Sequence, residues 1–200
     1  MDLAADFRAR LFGLNTGVLL TGEVAEPVRF VLDPATSQPV LPLPAAYQGE
    51  QATLMTPEEA PDVLQLLVTP VAIDPRRAEA ADRWLIHFGQ PSISHWAMLE
   101  IESARRLEDI VDGAELCGEH PFRSQEPALL RQVNAKPEGL VKLARQAAGI
   151  SPDSARAVAI DPWGLTIRVR FGVMRVPIDG ASMDAAATLA ALMRQMESTT

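Results

Sequence analysis

The most regular hydrophobic pattern in the chain is a period-two alternation on both sides of the tetrapeptide Asp161-Pro162-Trp163-Gly164. After it, Leu165, Ile167, Val169 and Phe171 share one face, while Thr166, Arg168 and Arg170 share the other, as in a half-buried strand. The tetrapeptide suits a type I turn, with Asp first, Pro second and Gly fourth. We therefore predict a β-hairpin here, with residues 173–177 as a third strand.

The first half of the chain has short apolar segments separated by proline-containing turns. It begins with a predicted helix at 3–14, which carries a stripe of Leu3, Phe7, Leu11 and Leu14. The apolar segments that follow lie at 18–20, 28–32, 40–41, 52–55, 63–73, 84–88 and 95–101. Strands at this spacing are typical of a closed or nearly closed antiparallel barrel, and residues 33–39 suit a hairpin connection within it.

Residues 112–127 interrupt the periodicity and are interpreted as a linker. Helices are predicted beyond it at 128–133 and 138–148, the second capped by Gly149. A final helix is expected to begin at the N-cap Ser182, with Met183, Ala186, Ala190, Met193 and Met196 as its apolar stripe. The fold class is therefore α+β, with a barrel domain at 1–111 and a small α/β domain at 128–200.

Composition and charge restrict the partners. The 200-residue chain has a formal net charge of -8, which disfavours nonspecific binding to nucleic acid or to an anionic membrane surface. No apolar run is long enough to span a bilayer, and the first residues lack the basic and apolar regions of a signal peptide. We expect a cytoplasmic protein without nucleic-acid or membrane partners. The single cysteine, Cys117, excludes an intrachain disulfide.

Four segments carry a family resemblance. Residues 17–21 with 27–31 resemble a first hairpin, 83–89 a strand ending in glycine, 96–104 the strand after it, and 158–175 the central sheet of a C-terminal domain. Together they resemble the split-barrel flavin-binding proteins related to pyridoxamine 5'-phosphate oxidase. The more similar subgroup has a C-terminal α/β domain of unknown function and includes haem-utilisation proteins. The resemblance implies an N-terminal antiparallel split β-barrel and a homodimer with its cofactor site between subunits.

The resemblance also implies an FMN site, whose phosphate needs fixed charge-assisted donors. Arg29 matches the arginine on the family's second strand. The segment that should supply the other donors, 41–50, has no basic side chain and offers Tyr47, Gln48 and Glu50. Arg29, Tyr47 and Gln48 are therefore candidate cofactor-binding residues of a degenerate FMN site.

Haem is the alternative cofactor, and its iron most often takes a histidine as axial ligand. The segment that commonly carries histidine in the family, 133–138, has none here. His95 is the candidate, although its alternation with Ile93 and Ala97 also suits a hydrogen-bonded core histidine. His87 falls on the strand face opposite Trp84, so it is expected to face solvent or a dimer partner.

Other candidate chemistries are weaker. Cys117 and His120 form half of a zinc site, and no second ligand pair has suitable spacing, so no metal site is predicted. No carboxylate pair is selected as general acid and base, so the catalytic residues and enzyme status stay open. Three arginines are predicted on the exposed face of the C-terminal sheet: Arg168, Arg170 and Arg175. They could bind an anionic partner, or they could form a solvated face with cross-strand ion pairs. Trp163, at the hairpin tip, is expected to pack against a neighbouring helix.

Two functions remain. The first is a protein resembling FMN-binding oxidoreductases with a degenerate cofactor site, or a haem-binding protein of the haem-utilisation type, in which Arg29 contacts a phosphate or propionate. The second is a dimeric binding or structural protein that has the scaffold without a cofactor. The sequence identifies no substrate and no electron donor.

Overall fold

The computed structural model describes residues 2–56, 62–149 and 152–198. The chain divides into two compact units, Met1–His120 (unit 1) and Pro121–Thr200 (unit 2). This division falls inside 112–127, the segment interpreted as a linker. The same segment contains a short helix, Gly113–Leu116, and the beginning of the helix Glu126–Asn134. Among the described residues, no helix has the length and apolar character needed to cross a membrane.

Unit 1 is mainly β-structure. Its helices are α1 (Leu3–Phe12), α2 (Glu79–Phe88) and α3 (Gly113–Leu116), and a 3-10 turn spans Ala45–Tyr47. Its strands are β1 (Thr16–Thr21), β2 (Val24–Arg29), β3 (Val31–Leu32), β4 (Pro39–Pro42), β5 (Ala52–Thr56), β6 (Leu64–Ala72), β7 (Trp96–Arg106) and β8 (Asp109–Asp112).

These strands form one curled antiparallel half-barrel sheet. Its order is β2-β1-β5-β6-β7-β4-β3, with β8 paired to β7, so β2 is an edge strand. The predicted hairpin connection at 33–39 joins β3 to β4, which pair through Val31–Val40 and Leu32–Pro39. The predicted α+β class with an N-terminal antiparallel split barrel is confirmed.

Alternating apolar positions give the sheet two buried faces. On one face Leu19, Leu54, Leu66 and Leu99 pack together, and Phe7 of α1 joins the same cluster. On the other face α2 packs Ala80, Ala81 and Trp84 against a second cluster, which includes Val31, Val40 and Trp96. Burial of both faces holds α2 against the end of the sheet where β3 and β4 lie.

The strand predicted at 84–88 is wrong, because these residues form the second half of α2. The buried positions Ala80, Ala81, Trp84 and His87 recur at helical spacing, and Gly89 ends the helix with a φ of 84°. His87 is consequently 5% exposed instead of facing solvent, and its Nδ1 lies 2.8 Å from the Arg83 carbonyl oxygen.

Unit 2 contains three helices and a three-stranded sheet. The helices are α4 (Glu126–Asn134), α5 (Pro137–Ala148) and α6 (Ala185–Ser198), and the strands are β9 (Ala155–Asp161), β10 (Gly164–Val169) and β11 (Gly172–Pro177). The antiparallel order β11-β10-β9 confirms the predicted hairpin and third strand. Gly149 caps α5 in the left-handed conformation, with a φ of 66°.

Two details of unit 2 differ from the sequence-based expectation. Helix α6 is capped by Asp184 instead of Ser182, since the Asp184 Oδ1 accepts from the N–H groups of Ala186 and Ala187. Its buried positions are Ala185, Thr188, Leu192 and Met196, so only the last belongs to the expected stripe. Phe171 is 65% exposed because it lies in the turn after β10 and not in the strand.

Candidate functional site

A cleft of about 230 Å³ lies beside the edge strand β2 of unit 1. Four separate parts of the chain line it: residues 26–29 of β2, residues 42–44 at the end of β4, Trp84 of α2, and residues 91–93 before β7. Prolines and other apolar side chains make up most of this lining. Of the described residues that line the cleft, Arg29 is the only base and Glu26 the only acid.

The cleft is open because β2 has a partner on one side only. The Phe30 N–H donates to the Asn15 carbonyl oxygen at 2.9 Å, and Arg29 stands opposite Thr16 in the register. In an antiparallel ladder, hydrogen-bonded and non-hydrogen-bonded pairs alternate. The backbone polar groups at positions 29 and 27 of β2 therefore belong to non-hydrogen-bonded pairs and point away from β1. Pro27 lies at a position where the ladder needs no N–H, which is where an edge strand tolerates proline.

Arg29 brings a fixed positive charge to the cleft. Its side chain is exposed, and its Cζ lies 5.7 Å from the ring centroid of Phe88 in α2. Cation–π attraction of this kind orients a guanidinium without neutralising it. Across residues 2–56, 62–149 and 152–198, no carboxylate forms an ion pair with Arg29. Its donors are therefore available to a bound anion.

Trp84 adds a mostly buried indole ring to the lining of the cleft. Its side chain is 7% exposed and meets the ring of Trp96 edge-on, with centroids 5.6 Å apart. The buried Nε1–H has no hydrogen-bond acceptor in the part of the chain that the structure describes. A buried indole N–H usually has one. The strand predicted at 84–88 does not indicate Trp84 as a cleft residue, although the spacing of Ala80, Ala81 and His87 is that of a helix.

Tyr47 reaches the cleft through Glu26. Its hydroxyl donates to Oε2 of Glu26 at 2.5 Å, and its ring packs partly buried against the core of unit 1. The hydrogen bond to Glu26, followed by desolvation and by the negative charge of Glu26, raises the pKa of Tyr47. Each effect disfavours the phenolate. Tyr47 therefore fixes the position of a carboxylate that itself lines the cleft.

Gln48 and His95 lie outside the set of residues that line the cleft. Gln48 is half-buried, and its backbone N–H donates to the Ala45 carbonyl oxygen at 3.2 Å. His95 is exposed, so the expected core position is wrong: β7 begins only at Trp96. The structure thus brings together Arg29 and, through Glu26, Tyr47.

The remaining candidates lie in other environments. His120 is buried with its ring 5.4 Å from Phe12, and Cys117 Sγ accepts from Gln38 Nε2 at 3.5 Å. Within the described ranges, no three His, Cys, Asp or Glu side chains are placed to hold a metal ion. Arg175 is paired with Asp161 and is mostly buried, so it does not share an open patch with the exposed arginines of the C-terminal sheet. Trp163 is half-buried at the hairpin tip.

Comparison with known proteins supports the fold. No family model and no curated protein matches the chain. A solved structure of the protein Atu2129, of unknown function, from Agrobacterium tumefaciens str. C58 is similar with a TM-score of 0.69 and 15% identity. That match covers 98% of this chain and 95% of the other. A haem-binding protein from Mycobacterium smegmatis gives a TM-score of 0.39 at 22% identity, over 99% of each chain. The likeness to the Agrobacterium protein shows a shared fold.

Proposed function

We propose that this protein binds a small aromatic anion in the cleft beside β2. The observation that carries the proposal is the Arg29 guanidinium, which lines the cleft and has no ion-pair partner in the described part of the chain. Arginine recognises carboxylate and phosphate groups through charge-assisted hydrogen bonds. Apolar walls with a few placed polar groups are the usual composition of a small-molecule site.

The aromatic part of the ligand is inferred from the walls. Trp84 and the prolines of the cleft present flat apolar surfaces, and Phe88 already stacks on the Arg29 guanidinium. Of the described lining residues, none is a histidine, cysteine or lysine, and the one hydroxyl is that of Ser92. We therefore propose binding and assign no catalytic step.

FMN and haem, which the family resemblance implies, fit this cleft poorly. An FMN phosphate would meet one arginine and also the Glu26 carboxylate, and haem would find no histidine among the described lining residues. The volume of about 230 Å³ is also below the roughly 300–1,000 Å³ of sites for drug-sized ligands. A single chain therefore suits a one-ring anion better than either cofactor.

A homodimer is also part of the proposal. The cleft lies at an unpaired sheet edge, where a second copy of the chain would add to its walls. Sedimentation velocity tests this, with a dimer as the expected species and a monomer at high protein concentration as the contrary result. In a dimer the two chains together could enclose a larger ligand.

Calorimetric titration with 4-ethylbenzoate, FMN and haemin tests the binding function. We expect at least one of these aromatic anions to bind, with roughly tenfold or greater loss of affinity in Arg29→Ala. Arg76→Ala is the control, since Arg76 is exposed in the same unit and does not line the cleft. Equal affinity in Arg29→Ala and wild type overturns the proposal. Absence of binding by all three supports the alternative of a scaffold protein without a cofactor.

A further inference from the structure

Building on the proposed function, we infer that Glu26 makes the cleft selective for an aromatic zwitterion. The carboxylate of such a ligand would bind Arg29, and an ammonium at the far end of its ring would bind Glu26. The inference rests on two opposite charges that line one cleft without neutralising each other.

Strand geometry keeps the two charges apart. Glu26 and Arg29 are three residues apart on β2, so their Cα atoms are separated by about 10 Å. Because the separation is odd, their side chains leave opposite faces of the strand. Glu26 stands opposite Leu19, and Arg29 opposite Thr16, in a register without a bulge. Both residues nevertheless line the same cleft, beside the free edge of β2.

The hydrogen bond from Tyr47 holds the Glu26 carboxylate in place for a ligand. The Tyr47 hydroxyl donates to Oε2, which leaves Oε1 of Glu26 without a hydrogen-bond partner among the described residues. An ionised carboxylate accepts several hydrogen bonds, so one oxygen can hold Tyr47 while the other binds an ammonium. The Tyr47 ring is anchored against the core of unit 1, and this anchoring limits how far Glu26 can swing toward solvent.

The same arrangement disfavours a phosphate dianion. A phosphate with two negative charges at the Arg29 end of the cleft would be attracted by one guanidinium and repelled by the Glu26 carboxylate. A carboxylate monoanion with a distal ammonium would be attracted at both ends of the cleft, by Arg29 and by Glu26. The cleft volume of about 230 Å³ fits the size of a single ring carrying two short substituents. The ligand class is therefore a para-substituted aromatic zwitterion.

Three probes of similar shape test the inference by calorimetry. They are 4-(aminomethyl)benzoate, its uncharged-tail analogue 4-ethylbenzoate, and the dianion 4-ethylphenyl phosphate. In wild type we expect the zwitterion to bind roughly fivefold to tenfold more tightly than 4-ethylbenzoate. In Glu26→Gln this ratio should fall to about one, and affinity for the phosphate probe should rise severalfold. Glu23→Gln, an equal change of charge in the exposed turn before β2, should keep the wild-type ratio.

The outcomes separate the two proposals. If 4-ethylbenzoate binds through Arg29 as tightly as 4-(aminomethyl)benzoate, selectivity by Glu26 is overturned while the binding function stands. If Glu26→Gln still binds 4-(aminomethyl)benzoate more tightly than 4-ethylbenzoate, selectivity by Glu26 is likewise overturned while the binding function stands. If no probe binds, or if Arg29→Ala binds all of them as wild type does, the proposed function and this inference both fail.

Discussion

The hydroxyl of Tyr47 lies 2.5 Å from Oε2 of Glu26, which connects the 3-10 turn after β4 to the edge strand β2. Of the two residues, only Glu26 lines the cleft. An O–H···O⁻ bond of this length is at the short end of the charge-assisted range. It couples the titration of Tyr47 to the charge of Glu26.

Tyr47 is the only tyrosine of the chain, so its ionisation can be followed directly by ultraviolet absorbance. We expect a pKa of Tyr47 above the ordinary value of about 10, because the hydroxyl donates a hydrogen bond to Glu26, burial desolvates it and the negative charge of Glu26 repels the phenolate. In Glu26→Gln the pKa should fall toward the ordinary value, and in Glu23→Gln it should not change. A wild-type pKa at or below 10 would contradict the observed hydrogen bond.

The same titration has a consequence for stability. A phenol whose pKa is raised by folding stabilises the folded state at every pH below its unfolded value. This contribution should be fully present below pH about 10 and should be lost as the pH rises through the raised pKa. Urea denaturation at pH 9 and pH 11 measures it, and Tyr47→Phe should show a smaller decline between these pH values than wild type.

Replacement of Trp84 by phenylalanine should weaken ligand binding. The variant keeps an aromatic ring against Trp96 and shortens the apolar wall that Trp84 gives the cleft. Loss of about one methylene-sized apolar contact costs about 0.8 kcal/mol, so affinity for 4-ethylbenzoate should fall roughly threefold to fourfold. Trp163→Phe in unit 2 is the matched control. Unchanged affinity in Trp84→Phe would show that the Trp84 ring does not contact the ligand.

In unit 2, Asp161→Asn should be strongly destabilising. Oδ1 of Asp161 accepts from the N–H groups of Trp163 and Gly164 and lies 2.5 Å from Arg175 Nη2, with the Asp161 side chain 4% exposed. Breaking a buried ion pair leaves the partner charge uncompensated and costs about 3–5 kcal/mol. Amide hydrogen exchange measured by mass spectrometry should accelerate in β9, β10 and β11.

Two controls make this prediction specific. Asp179→Asn changes the same charge at an exposed position of unit 2 and should leave exchange unaltered. The double variant Asp161→Asn/Arg175→Met should recover part of the lost protection, because it removes the unpaired guanidinium. If Asp161→Asn alone exchanges like wild type, the pair does not stabilise the hairpin.

Gly113→Ala should destabilise unit 1. An added Cβ would lie 2.6 Å from the carbonyl carbon of Ile101 and 2.9 Å from that of Glu102, so helix α3 would have to move away from β7. Overpacking against backbone costs about 1–3 kcal/mol. Gly13→Ala, whose nearest contact is 3.2 Å and whose φ is -78°, should change stability by less than about 1 kcal/mol. Thermal unfolding by circular dichroism compares the two, and equal melting temperatures would contradict the close approach.

Local chemistry made several elements predictable from the sequence. The turn at Asp161 was identified because Asp, Pro and Gly occupy the positions that a type I turn requires, and Gly149 marked the end of α5 for a comparable reason. These signals act within about four residues and do not depend on the rest of the fold. Helix α2 is not evident from residues 84–88 alone, because a short, mostly apolar run suits a strand as well as a helix, and its helical spacing appears only when Ala80 and Ala81 are included.

The sequence by itself determined the α+β class and the C-terminal hairpin, and the family resemblance gave Arg29 as a candidate. Only the tertiary structure decided that Arg29 shares a cleft with Glu26 and Trp84, and that His95 lies outside it. The physical reason is that the cleft walls come from segments between positions 26 and 93, which the curl of the sheet and the docking of α2 bring together. Periodicity and turn chemistry report the neighbours of a residue along the chain, whereas a binding site depends on its neighbours across the fold.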